Sequence, residues 1–97
     1  MKGNEDLLKY RGRTEIISQI LGVANGGASS AKVMYKVVLS YAQVKGYLAL
    51  LIENGLVEFN EKELKFVTTD KGHKFLKLYA ELGDLRPHNE IRELPYI

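Results

Sequence analysis

The sequence predicts a mainly α-helical domain carrying one β-hairpin, in the order helix, helix, helix, hairpin, helix. Three observations carry that expectation. Apolar residues recur at one-turn spacing in separate stretches, at Ile16, Ile17, Ile20 and Leu21, then Val33, Met34 and Val37, then Val44, Leu48 and Leu51. The period changes to alternation over 56–59 and again over 63–68, the pattern of paired strands. A last helical stripe follows Thr69, at Phe75, Leu76, Leu78, Tyr79 and Leu82.

The chain opens with a polar arm, 1–13, of mixed charge with an apolar patch at Leu7, Leu8 and Tyr10. Gly12 interrupts it. Arg11 and Arg13 either reach a phosphate or are solvated. Thr14 is the expected cap of the first helix, and Glu15 suits the positive end of its dipole. This helix ends at Asn25-Gly26-Gly27 and is read as core, with no direct functional role. Ala28 and Ser29 form an extended link or a short strand.

The chain is organised around 29–56. Val33, Met34 and Val37 mark the buried face of a short helix, with Lys32 and Lys36 one turn apart on another face. Val38 and Leu39 lead into Ser40, whose hydroxyl can accept from an unpaired amide of the next helix. That helix buries Val44, Leu48 and Leu51 and turns Ala42, Gln43, Gly46 and Ala49 outward; it ends at Asn54-Gly55. A short helix, a corner and a longer helix with a small, lightly polar outer face make either a helix-turn-helix, the motif whose second helix enters a DNA major groove, or simply two core helices of a small globular domain.

The alternating runs that follow enclose a polar tip at Asn60, Glu61 and Lys62, so a hairpin is expected there, in the position of a wing. Lys62 and Lys65 are its candidate phosphate contacts, opposed by Glu61 and Glu63 beside them. A hairpin that only covers the core is the alternative. Thr69, with Thr68 as the other candidate, caps the last helix; Lys71, Lys74 and Lys77 form a row that either faces water or grazes phosphate. Gly83 and Pro87 are expected to stop it after about four turns. The division is thus an arm at 1–13, a winged helix-turn-helix domain at 14–83 (three-helix core, hairpin wing, C-terminal helix) and a tail at 84–97. The tail's Ile91, Leu94, Tyr96 and Ile97 either pack back or meet a partner.

At 97 residues, 45% hydrophobic and 27% charged, the composition is that of one globular domain. No apolar run is long enough to span a bilayer, and no signal-peptide layout opens the chain. Cysteine is absent, which excludes disulfides and thiolate chemistry and fits a cytoplasmic protein. The net charge of +2 says little, but its distribution says more. Between Ile16 and Ile52 there is no carboxylate, while Lys32, Lys36 and Lys45 are present. A one-sign face of this kind suits the DNA backbone.

The pieces Arg13-Thr14-Glu15-Ile16-Ile17, Ile20-Leu21, Met34-Tyr35, Leu39-Ser40-Tyr41-Ala42-Gln43, Tyr47-Leu48, Gly55-Leu56 and Thr69-Asp70-Lys71-Gly72 occur in that order. In this the chain resembles small archaeal winged-helix proteins, a family of predicted transcription regulators and dimeric chromatin-associated DNA-binding proteins. The resemblance covers roughly 13–82. It implies a winged-helix fold, double-stranded DNA as ligand and dimerisation. In the chromatin-associated members the last helix is long and pairs as an antiparallel coiled coil. The glycine and proline near the end of this chain depart from that pattern, leaving a shorter homodimer contact through Phe75, Tyr79, Leu82 and the tail.

Enzyme chemistry finds no support. His73 and His88 lack the spaced partners of a catalytic or zinc set, so neither metal nor cofactor is expected. The glycines at 26 and 27 follow a helix and lack the P-loop lysine arrangement. Tyr35 and Tyr47 are expected at core edges; Tyr41 is expected there too, or on a phosphate. The reading is a double-stranded DNA-binding protein, a transcription regulator, with the Ser40 helix in the major groove. Gln43 is the candidate base contact, Lys32, Lys36 and Lys45 the phosphate cations, and Ser30 and Ser40 the neutral donors. No arginine lies within 29–56, so sequence specificity is expected to be modest. The alternative is a winged-helix protein-interaction module that does not bind DNA.

Overall fold

The computed structural model describes residues 11–85. The expectations for 1–10, for the stop at Pro87 and for the tail from 86 onward lie outside the described residues.

Helix α1 (Arg13–Val23) starts earlier than expected: Gly12 is its N-cap and makes no side-chain bond, so Thr14 is an exposed residue of the first turn. The apolar stripe wins the placement, because Ile16, Ile20 and Leu21 must face inward. Ser18 shares that face with its hydroxyl satisfied, donating to Glu15 O at 2.7 Å. After α1 the chain reverses through Gly26 and Gly27, both at positive φ (86° and 109°), a conformation side chains resist. Ala28 then exchanges backbone hydrogen bonds with Phe66 at 2.9 and 2.8 Å, which makes it the short extended link.

Helix α2 (Ser30–Val37) is capped by Ser29, whose hydroxyl oxygen accepts from the Lys32 amide at 3.1 Å. It buries Val33 and Val37 and ends at Val38 in the left-handed region. Helix α3 (Tyr41–Glu53) is capped by Ser40 and buries Val44, Leu48 and Leu51. Gly55, at φ 74°, turns the chain out of it.

Strands β1 (Val57–Asn60) and β2 (Lys65–Thr68) pair antiparallel, with Val57 opposite Thr68 and Asn60 opposite Lys65. The tip is therefore 61–64, longer than the expected 60–62. Asn60 stays in its strand and folds the turn with its side chain, Oδ1 accepting from the Lys62 and Glu63 amides at 2.9 and 3.1 Å. Leu64, at φ 55°, closes it. Alternation alone had drawn Glu63 and Leu64 into the strand.

Helix α4 (Asp70–Leu85) begins under Thr69, whose hydroxyl oxygen accepts from Gly72 N at 3.1 Å while its proton goes to Gly55 O at 2.7 Å. Thr68 is not the cap: it is buried and donates to Leu21 O at 2.7 Å. Gly83 does not stop the helix, which runs through it to Leu85. One interior glycine costs about 1 kcal/mol against alanine and does not remove a backbone hydrogen bond. The last helix lies close to the body because Gly72 has no side chain. A Cβ there would strike Leu56 O and come within 2.6 Å of Thr68 Cγ2.

The core is one cluster, with Ile20, Leu21, Val33, Val44, Leu51 and Val57 fully buried and Phe66, Phe75 and Leu76 packed against it. Each such side chain contributes about 1.5–3 kcal/mol by leaving water. Helices α1, α2 and α3 enclose it, and the hairpin and α4 close its remaining side. Among the described residues no helix is long and apolar enough to cross a membrane.

Gly72→Ala is expected to destabilise the domain by about 1–3 kcal/mol, measured as a lowered urea midpoint. An unchanged midpoint would contradict the close approach of α4 to the Leu56 carbonyl.

Candidate nucleic-acid interface

The corner between α2 and α3 sets where α3 points. Val38 sits at φ 61°, ψ 66°, a costly conformation for a β-branched residue. Leu39 beyond it is buried, and its amide donates back to Met34 O at 3.1 Å, closing the helix end. Arg11 neither reaches outward nor floats in solvent. Its guanidinium donates to Val37 O at 2.8 Å, Val38 O at 3.2 Å and Gln19 Oε1 at 2.6 Å. A cation on the last carbonyls of α2 satisfies groups the helix leaves unpaired and favours the negative end of its dipole. Arg11 is thereby removed from the phosphate candidates.

On the far side of the corner Ser40 and Gln43 form a capping box. The Gln43 amide donates to Ser40 Oγ at 3.1 Å, and the Ser40 amide donates to Gln43 Oε1 at 2.9 Å. As the candidate base contact, Gln43 could pair bidentately with an adenine edge, and that pairing has one hand occupied by the cap. Nε2 remains a donor, and Oε1 keeps a second lone pair.

The candidate cations are on the surface: Lys32 and Lys36 on α2, and Lys45 on α3, are all exposed, as are Ser30 and Ser40. Lys45 Nζ lies 5.5 Å from the centre of the Tyr41 ring, a cation–π pair. Tyr41 is 66% exposed and Tyr35 79% exposed, so neither is the core-edge residue expected; Tyr47 is half-buried against the core. Tyr35 follows Met34 and precedes Lys36, on the turn of α2 facing away from Val33 and Val37. Between the cations, the outward side of α3 carries Ala42, Gly46 and Ala49, all exposed. Small residues there let the helix backbone come close to whatever it meets.

Of the two arginines left open between phosphate and solvent, one adjoins this surface. Arg13, in the first turn of α1, lines a shallow depression of about 350 Å³ with Gln43, Gly46 and Tyr47 of α3. The available signal was a cation at the wrong end of a helix dipole, which nothing within α1 rewards.

Elsewhere the predicted residues are more dispersed. Lys62 and Lys65 are exposed on the hairpin, but Glu61 and Glu63 are exposed with them. On α4 the Phe75 and Tyr79 rings stack nearly parallel at 6.4 Å, and Leu78 and Leu82 on the same stripe are 60% and 61% exposed. His73 is exposed, and among the described residues no group of His, Asp or Glu could hold a metal ion.

Residues 10–87 match the family model described as winged helix-turn-helix, most of the chain and all of the elements above. The protein belongs to the winged helix-turn-helix family. Within that family α3 takes the place of the second helix of the motif and the hairpin that of the wing. None of the curated proteins matches the chain. Among solved structures it is similar to Sso10a-2, a DNA-binding protein from Sulfolobus solfataricus. The TM-score is 0.74 at 21% identity, over 90% of this chain and 99% of that one. At that identity the likeness is one of fold.

Removing the corner clamp by Arg11→Ala is expected to cost about 1–3 kcal/mol, read from the urea midpoint. Val38→Gly should raise stability by about 0.5–1 kcal/mol by relieving the left-handed strain. Stability lowered by the glycine would show that Val38 is not strained.

Proposed function

We propose that this winged helix-turn-helix domain binds double-stranded DNA through α3 and acts as a transcription regulator in the cytoplasm. The observation that carries this is the surface around α3. Lys32, Lys36, Lys45 and Arg13 are exposed on it, and the segment 16–52 that builds most of it holds no carboxylate. The solved structure of like fold is itself a DNA-binding protein. Helix α3 enters the major groove, its small outer residues allowing close approach. The cations neutralise phosphates, and the Ser30 and Ser40 hydroxyls donate to phosphate oxygens. Gln43 Nε2 supplies the one directed base contact, so discrimination between sequences is weak. On the hairpin, Lys62 and Lys65 add phosphate contact at the edge, limited by the glutamates beside them.

The domain works as a homodimer through the apolar stripe of α4, half-buried at Phe75 and Tyr79 and exposed at Leu78 and Leu82. Phe75, Leu78, Tyr79 and Leu82 recur at i, i+3, i+4 and i+7, and Leu78 and Leu82 leave large apolar area in water. A protein-interaction module is the second reading, favoured by the mixed charge of the hairpin. Binding of random duplex at low salt separates the two.

With about three to five phosphates neutralised per protomer, the log–log salt slope should lie between about −2.7 and −4.5. An isotherm insensitive to salt contradicts the proposal. Lys36→Ala should weaken every sequence alike and reduce the slope by about 1, and Arg13→Ala should do the same. Gln43→Ala should matter only on a preferred site, beyond the cost of about 1 kcal/mol in stability from the lost cap. Leu78→Glu with Leu82→Glu should give a monomer by sedimentation; a wild-type protein that sediments as a monomer contradicts the dimer.

A further inference from the structure

Beside the outward face of α3, the surface opens into a groove of about 390 Å³ between α2, α3 and β2. That volume falls in the range of small-molecule sites. Its walls are apolar: Met34 from α2, Val44, Leu48 and Ile52 from α3, and Phe66 from the hairpin. It stays open because Ala31 and Ala49, which also line it, contribute only methyl groups. Ile52 is left 41% exposed as a result. The core does not fill this hollow, and its apolar walls have no counterpart in the phosphates and base edges that DNA offers.

The polar groups of the groove are few and of one kind. Lys45, Tyr41 and Ser30 line it, all exposed, and among the described residues no carboxylate does. The Lys45 ammonium stands over the Tyr41 ring at 5.5 Å with no carboxylate among the lining residues to pair with it. A cation and two hydroxyls beside an apolar slot complement a flat apolar body that carries one negative charge. Met34 and Phe66 favour an aromatic body, through sulfur–ring and ring–ring contact.

We propose that this groove binds a small aromatic carboxylate, with its ring against Met34, Leu48 and Phe66 and its carboxylate on Lys45 Nζ and the Tyr41 hydroxyl. Because Lys45 also belongs to the phosphate-binding surface, an occupied groove neutralises one of its cations and weakens duplex binding. This second consequence rests on the DNA reading, whereas ligand binding itself does not.

The test uses the full chain and 2-naphthoate without DNA, by equilibrium dialysis and methyl NMR. Saturable binding of one naphthoate per chain is expected, with shifts at the Met34, Ala49 and Ile52 methyls. The neutral 2-naphthamide should bind about tenfold more weakly, and Lys45→Gln should weaken naphthoate by about the same factor. Lys74→Gln, on the exposed row of α4, should change nothing. Ala49→Leu should fill the groove and abolish binding while the thermal midpoint is retained. Equal affinity for acid and amide, or indifference to Lys45→Gln, overturns the proposal. So do Met34 methyl Overhauser contacts, in the free protein, to Ile91, Leu94 or a second chain, since the groove is then already filled. Naphthoate should also raise the apparent duplex Kd at low salt. Duplex binding that persists unchanged with naphthoate bound overturns the coupling, and absence of any duplex binding removes the DNA reading while the dialysis result stands.

Discussion

Two sets of hydrogen bonds hold the turn between α2 and α3, and the placement of α3 follows from them. On one side Arg11 holds the Val37 and Val38 carbonyls, and on the other Ser40 and Gln43 satisfy each other's amides. Between them Val38 is in a left-handed conformation that costs a side-chain-bearing residue about 1–2 kcal/mol. Charge-assisted bonds of the Arg11 kind contribute about 1.5–3 kcal/mol, enough to offset that cost. Leu39, buried beneath, converts the turn into an anchor on the core. An arginine from before α1 thus fastens the end of α2, tying the first three helices into one body.

That economy of residues recurs on the exposed side. Gln43 is half of the α3 cap, and the base contact proposed for it is constrained by that structural duty. Lys45 lines the apolar groove with its Nζ over the Tyr41 ring, and in the proposed function it also serves as a phosphate cation. Arg13 is lent to α3 from the helix that otherwise serves only the core. Gly72 plays the matching part at the back, since its missing side chain lets Thr69 bridge Gly55 and α4 and so seats the last helix.

Much of this was legible from spacing and capping chemistry. The buried stripes, the caps at Ser40 and Thr69, the turn at Gly55 and the exposure of Lys32, Lys36 and Lys45 follow from local rules, because each depends on residues within one turn. What was not legible depends on distant partners or on competition between neighbours. Arg11 meets Val37 and Val38 only in three dimensions, and Arg13 comes to line one depression with Gln43 the same way. Thr14 lost the cap because the apolar stripe fixes the helix phase, and Asn60 moved the hairpin tip by bonding within its own turn. Gly83 failed to end α4 because glycine lowers helix stability without removing a hydrogen bond. Tyr35 and Tyr41 are exposed because on short helices the core has room for one stripe only, already filled by Val33, Val37 and Val44.

In the proposed function the corner presents α3 and the α2 lysines to a duplex. Amide shift mapping of the full chain with a short random duplex tests it most directly. The account predicts perturbations concentrated at Lys32, Lys36, Ala42, Gln43 and Gly46, with smaller ones near Arg13, all diminishing as salt rises. Shifts confined to α4 or the hairpin, or none at low salt, would contradict it.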